Sequence, residues 1–315
     1  MTLAFLLRRV ITALITLVLA SVMVFVAMLF VPGDPVQLIL GLNYDPNQYA
    51  VLQKQMGLDK PPLERFLSWV AGIPNGDLGK SISLSAPVGK LIWDRLPITL
   101  PLVGLSSLLA LLVALPAGVY AARHRGSLVD VLVVTLTQAG LAIPSFWLGI
   151  MLVLVFAVGL GWLPANGWTN WSDDPLKAAR SLVMPVVTLA LGQAAGLVRM
   201  VRSSVLDAQS QDYVRTARSK GLLESVVVRK HILRNAAINI LTLLGIQFGQ
   251  LLAGGIVVES VFNIPGLGLL GLGAVRSSDY PLVQGVVLVI AFMIVLINLG
   301  VDLLYGALDP RIRYE

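Results

Sequence analysis

The stretch RMVRSSVLDAQSQDYVRTARSKGLLESVVVRKHILR, Arg199 to Arg234, lies between two apolar blocks, Leu182–Val198 and Ile240–Val258. It is too long for a simple turn. It holds eight of the chain's 23 Lys and Arg residues against three acids, Asp207, Asp212 and Glu224. Apolar side chains recur through it at helical spacing: Val205, Tyr213, Val214 and Ala217, then Leu222, Val226, Val227 and Ile232. Gly221 interrupts the series. The spacing predicts two short amphipathic helices joined at that glycine and lying across one membrane face. Two readings stand for them. One is a basic interfacial segment held by anionic lipid. The other is a knob, with small residues Ala217, Ser219 and Gly221, that fits a cleft in another protein.

Outward from this segment the chain is apolar. Of its 315 residues 57% are hydrophobic and 13% charged, with a mean hydropathy of +0.84. A soluble domain carries about 25% charged residues. The apolar residues come in uninterrupted blocks, which predicts membrane spans rather than an aqueous core. Val10–Val31 is free of charge, follows Arg8 and Arg9, and is too long for the apolar core of a cleaved leader. Ile98–Ala122, Val131–Leu160, Leu182–Val198, Ile240–Val258 and Leu282–Val301 complete six spans. Pro101, Pro116 and Pro144 fall inside the second and third, and the third is long enough to tilt or to bend at Pro144. The expected fold class is an all-α integral membrane protein with six transmembrane helices and a large external segment after the first.

Basic residues set the orientation. With the N-terminus inside, Arg8, Arg9, Arg123, Arg125, the Arg199–Arg234 segment, Arg311 and Arg313 are cytoplasmic. The short external loops then hold only Lys177, Arg180 and Arg276. N-in and C-in is the consistent solution, and it accounts for the net charge of +6 without nucleic acid.

Residues 32–97 form the long external segment, polar and punctuated by Pro32-Gly33 and Pro61-Pro62. Within it, Pro62–Trp69 has Leu63, Phe66, Leu67 and Val70 on one helical face. This segment is either a solvated loop with one surface helix, or a platform for an external partner or a lid. Trp162, Trp168 and Trp171 in the second external loop are expected to anchor it at the interface, the alternative being a ligand-stacking role.

Enzyme signatures fail on inspection. Gly266-Leu-Gly268-Leu-Leu-Gly271 matches a dinucleotide fingerprint, yet it follows a span and Pro265 rather than a strand. Its glycines are expected to form a tight external turn or re-entrant backbone. There is no phosphate-binding loop, no cysteine, and only two distant histidines, His124 and His231. No catalytic and no metal site is expected in this chain.

Polar residues within the membrane are few: Gln138, Gln193, Gln247, Gln250, Asn298 and, near the inner end of span six, Asp302. Each is expected to face a neighbouring helix or a polar pathway rather than lipid. Gly192-x-x-x-Gly196 and Gly245-x-x-x-Gly249 permit close helix contact.

Arg215-Thr216-Ala217-Arg218-Ser219-Lys220-Gly221 resembles the EAA loop of binding-protein-dependent ABC importer permeases, with Ala third and Gly four residues later. Asp212-Tyr213-Val214 before it and Leu233-Arg234-Asn235-Ala236 after it resemble the dipeptide/oligopeptide/nickel branch, first-permease type. The likeness runs along nearly the whole chain. It includes Gly76-Asp77-Leu78-Gly79-Lys80-Ser81, Arg95-Leu96-Pro97-Ile98-Thr99-Leu100 and Ile143-Pro144-Ser145-Phe146-Trp147-Leu148-Gly149. It continues through Glu259-Ser260-Val261-Phe262, Pro265-Gly266-Leu267-Gly268, Asp279-Tyr280-Pro281 and Leu308-Asp309-Pro310-Arg311-Ile312-Arg313-Tyr314. Arg215 and Thr216 depart from the Glu and Ala of the loop's name, and the proline common after Arg-Asn-Ala is absent near Asn239.

The resemblance implies a type I ABC importer permease fold. Its parts would be residues 1–97 (first helix and external segment), a core over 98–308 containing the coupling loop 199–234, and a cytoplasmic tail 309–315. It implies an ATPase-coupling surface at Asp212, Tyr213, Arg215, Thr216, Ala217, Lys220, Gly221 and Leu222, and an external loop using Glu259, Pro265, Gly266, Gly268 and Asp279. The implied partners are a related second permease, two ATPase subunits that bind ATP and Mg, a periplasmic or lipid-anchored binding protein, and membrane lipid. The implied activity is import of di- or oligopeptides, or of nickel, glutathione or opine-type solutes, across the bacterial inner membrane. From hydropathy alone an ion-coupled secondary transporter remains the rival. It needs buried coupling carboxylates, for which Asp302 is the one candidate.

Overall fold

The computed structural model describes residues 3–30, 35–40, 45–55 and 57–308. Pro32-Gly33, and the tail 309–315 with Arg311 and Arg313, lie outside the described residues. In chain order the helices are α1 (Leu3–Leu29), α2 (Pro35–Leu40), α3 (Pro46–Gln55), α4 (Pro62–Gly72), α5 (Val88–Trp93), α6 (Leu96–Arg123) and α7 (Leu128–Ala142). Then come α8 (Ser145–Leu152), α9 (Pro175–Gln209), α10 (Asp212–Ser219), α11 (Glu224–Val226), α12 (Leu233–Val261), α13 (Leu267–Arg276) and α14 (Tyr280–Leu308). Among the described residues the extended pairing is a single bridge, Lys80 to Pro87.

Among the described residues five helices are long and apolar enough to cross a membrane, or six if the bent pair α7–α8 counts as one span. That pair is the third predicted span. It bends by 97° between Ala142 and Ser145. Pro144 forces Ile143 out of the helical region (φ −80°, ψ 121°) and then starts α8. Pro101 and Pro116, by contrast, sit inside the continuous α6.

The chain divides into two units. The first comprises residues 99–264 and the described part of 297–315; the second comprises 3–98 and 265–296. In the first unit α9 and α12 are the central pair. An alanine-rich seam joins α6 to α9 through Ala110, Ala114, Ala190 and Ala194. Gly118 makes this approach possible, because a Cβ there would stand 2.7 Å from Val201. Asp174 caps α9 by accepting from the Leu176 and Lys177 amides, with Pro175 at the first helical position. Those bonds hold the Asp174 carboxyl below its ordinary value.

In the second unit α4 packs through Phe66, which meets Phe25 of α1 edge-on at 5.2 Å. The expected apolar face needs correction. Leu63 and Leu67 are exposed, and the half-buried side is Arg65, Phe66, Trp69 and Val70. A second correction concerns Gly266–Gly271. Gly266 precedes a helix, α13, and Gly268 and Gly271 lie within it rather than in a turn. A Cβ on Gly271 would press to 3.1 Å on Val286, so the glycine lets α13 approach α14.

Candidate functional site

At 35 residues α9 is about 52 Å long, well beyond the ~30 Å hydrocarbon thickness. The run Glu224–Val261 is longer still, at 38 residues. The two helices therefore extend past any bilayer they span, and the extensions absorb most of the segment Arg199–Arg234. This corrects the expected pair of short helices. Residues 199–209 are the end of α9, and the stretch from Glu224 runs through a π-helical turn, Val227–Ile232, into α12. Only α10 stands as a separate helix.

Gly221 ends α10 in the left-handed region, at φ 74°. Its N–H donates to the Arg218 carbonyl at 2.9 Å, and the Leu222 N–H donates to the Ala217 carbonyl at 3.4 Å. This is the paired closure that a left-handed glycine permits at a helix end. Across the turn Arg218 grips Glu224 with two bonds, 3.1 and 2.7 Å. That carboxylate holds the Arg218 guanidinium above its ordinary value.

The sequence-predicted coupling residues divide by burial. Ala217 is buried with Val214 in a cluster that includes Val201, Val205, Val227, Val228 and Ile232. It anchors α10 rather than presenting a surface. Asp212, Tyr213, Arg215, Thr216, Lys220, Gly221 and Leu222 are exposed. Leu223, at 74% exposure, and Val226, at 38%, are exposed apolar side chains beside these in sequence and were not among the predicted coupling residues. Partial burial pushes the Tyr213 phenol up.

The same unit holds a polar seam. Gln193 Nε2 donates to the Gln247 carbonyl at 3.0 Å, and Gln247 Nε2 donates back to the Gln193 carbonyl at 3.4 Å. The Oε1 atoms of both are buried without a partner among the described residues. Gly196 leaves room for this pair, since a Cβ there would lie 2.9 Å from Gln247 Nε2 and displace the end of that side chain. Gln193, Gln247 and Gln250, with Ser145 and Thr188, line a cavity of about 250 Å³. Gln138 and Asn298 are exposed and are not brought to it; Asn298 faces Gly245 instead.

The predicted external-loop residues serve three separate jobs. Buried Glu259 accepts from Thr99 Oγ1 at 3.2 Å. The Pro265 carbonyl accepts from Arg95 Nη1 at 3.2 Å, before Gly266 and Gly268 open α13. Asp279, fully buried, gathers a loop from the external segment. Its Oδ2 accepts from Ser81 Oγ at 2.6 Å, Ser83 Oγ at 2.7 Å, and the Ile82 and Ser83 amides at 3.0 Å. Its Oδ1 accepts from the Leu282 amide at 3.2 Å.

Sequence reading passed over Asp130. It is buried at the start of α7 and takes Arg202 of α9 in two bonds, 2.6 and 2.8 Å. The legible signal was Ser127-x-x-Asp130, a capping pattern in which the Ser127 hydroxyl accepts from the Asp130 amide. Arg202, read as an orienting surface charge, is instead a strut between helices.

The arrangement is a bundle with a polar seam and a rigidly closed short helix on protruding helical ends. A family model described as "binding-protein-dependent transport system inner membrane component" matches residues 114–314, and the N-terminal model of the same membrane component matches residues 2–103. The chain belongs to this family of ABC importer permeases. It is 41% identical over 312 residues to a Brucella abortus (strain 2308) protein named for a peptide transport system permease, covering 99% of each chain. It is 40% identical over 311 residues to the glutathione transport system permease protein GsiC of Escherichia coli (strain K12), again covering 99% of each. A solved inward-facing structure of the MetNI methionine ABC transporter matches 70% of this chain and 96% of that one, with a TM-score of 0.53 at 21% identity. At that identity the likeness establishes the type I permease fold. The permease is thus a multi-pass protein of the bacterial inner membrane, of a family that works with ATPase and substrate-binding partners.

Proposed function

We propose that this permease imports a peptide-like solute, a di- or oligopeptide or glutathione, in an ATP-driven complex. The relatives named for peptide and glutathione transport support that substrate class over nickel or opines and over ion coupling. The chain itself is non-catalytic. ATP and Mg belong to two separate ATPase subunits, and a related second permease completes the pathway, with a periplasmic or lipid-anchored protein delivering substrate. Both termini are cytoplasmic, residues 98–308 are the core, and 309–315 is a tail.

In this reading α10 is the coupling helix. The supporting observation is its construction. Val214 and Ala217 fix it to α9 and α12, while Tyr213, Leu222, Leu223 and Val226 stand exposed. Exposed apolar side chains on a protruding, rigid element are the form a docking knob takes. Motion of the ATPases would pass through α10 to two long helices as rigid levers, and so to the seam at Gln193 and Gln247. There Gln193, Gln247 and Gln250 line a cavity, and their amide side chains suit the N–H and C=O groups of a peptide-like solute.

Leu223→Asp tests the docking. Leu223 is exposed, so the helix should fold unchanged. The variant is expected to lose co-purification of the ATPase subunits and substrate-stimulated ATP hydrolysis. Full retention of both would remove α10 from the coupling role. Uptake of labelled dipeptide against labelled glutathione by the reconstituted complex decides between the two solutes.

A further inference from the structure

In the second unit, α1, α3, α4, the Asp77–Ile82 loop and the first turn of α14 enclose a cavity of about 370 Å³. Its charge is one-sided. Lys54, Arg65 and Lys80 line it and, among the described residues, enter no ion pair. Lys60 also lines it but is taken by Glu64 at 2.9 Å. Asp77 is the lining carboxylate, and its Oδ1 already accepts from the Gly79 amide at 2.9 Å.

Arg65 is the most buried of these three cations. Its guanidinium lies 5.8 Å from the Phe25 ring centroid, and burial pushes it below its ordinary value. A half-buried cation with no carboxylate partner is costly unless an anion joins it. Trp69, also lining the cavity, has a buried indole N–H with no acceptor among the described residues. Phe25 lies one turn from the end of the apolar α1, so the cavity opens where a span ends and lipid headgroups begin.

We infer that this cavity binds the phosphate of an anionic phospholipid headgroup, with Lys54, Arg65 and Lys80 as its cationic ligands. Arginine offers a planar fork to phosphate oxygens, and the two lysines add point charges. The lipid chains would lie along the exposed flank of α1, where Leu14, Val18, Val22 and Met23 face outward. The inference is independent of which solute is carried.

The test uses the complete transporter complex in detergent, depleted of lipid and then offered equal amounts of phosphatidylglycerol and phosphatidylcholine. Native mass spectrometry reads which lipid stays bound. The wild type is expected to retain phosphatidylglycerol preferentially. Lys54→Gln and Lys80→Gln are each expected to lower that retention about fivefold, on the scale of ~1 kcal/mol per basic residue near a lipid surface. Arg65→Gln is expected to lower it further. Both lysines are exposed, so those variants test the site even if Arg65→Gln misfolds. Equal retention by wild type and the Lys54/Lys80 double variant overturns the site. Inorganic phosphate and glycerol phosphate separate the source of the anion. Displacement of the lipid only at large excess supports a headgroup site, whereas displacement at equal concentration, or equal retention of the two lipids, overturns it.

Discussion

Two buried carboxylates, one in each unit, are stabilised by opposite means. Asp130 meets a full positive charge, Arg202, in a two-bond fork between α7 and α9. Asp279 has hydroxyls and backbone amides around it: Ser81, Ile82, Ser83 and Leu282. The first is a strut between two helices of the unit that carries α10. The second is a clasp that gathers a loop from the long N-terminal segment onto the start of α14. A charge pair fixes two helices at one point and punishes the loss of either partner. A ring of neutral donors spreads the same charge over a whole loop, so single losses are shared.

Removing one side of the strut should have the largest effect. Arg202→Ala leaves Asp130 buried without its counter-charge, held only by the Gly126 amide at 2.9 Å, and is expected to destabilise the detergent-solubilised protein by about 3–5 kcal/mol. The double variant Asp130→Asn with Arg202→Met should recover most of that loss in thermal unfolding. If the double variant is no better than the single, the pair is not the strut described here.

Asp279→Ala strands donors on the Ser81–Ser83 loop, for a cost of about 2–3 kcal/mol. Limited proteolysis should then cut within residues 80–87 while leaving α9 to α12 intact. A loss spread evenly over the chain would contradict the local clasp.

Ser83→Ala removes one of several donors to Asp279, at about 1 kcal/mol. Its proteolytic pattern should match wild type. A cost equal to that of Asp279→Ala would mean the donors act as one unit.

Gly221→Ala should cost no more than Ser83→Ala, about 1 kcal/mol, because its φ of 74° disfavours a side chain although space is open around it. Its effect on coupling should exceed its effect on folding. Cysteine pairs test this cleanly, since the chain has no cysteine of its own. A single cysteine at Ser219 should cross-link to the ATPase less efficiently in the Gly221→Ala background.

Much of this is legible in the sequence. Apolar block length gave the spans, because in lipid only a helix satisfies its own backbone. Gly221 was readable as a break, and it is one. The segment around it was misdivided because amphipathic periodicity does not tell a separate helix from the end of a long one. Residues 199–209 and 224–234 carry the same pattern either way, and only their packing with Val201, Val227 and Ile232 decides. Leu63 and Leu67 share a helical face with Phe66 on paper, yet the contact with Phe25 selects a different side of α4.

By itself the sequence determined the family, the helical class, the bend at Pro144 as an option, and the polar residues worth watching. Those follow from local rules: hydropathy, proline and glycine geometry, and motif spacing. Tertiary structure alone decided which glutamines meet across α9 and α12, that Ala217 faces inward, and that Arg202 belongs to Asp130 rather than to the membrane surface. The physical reason is distance along the chain. Gln193 and Gln247 are 54 residues apart, Asp130 and Arg202 are 72 apart, and Ser81 and Asp279 are 198 apart. No local rule fixes which distant polar groups will share a dry interior, where each must find a partner.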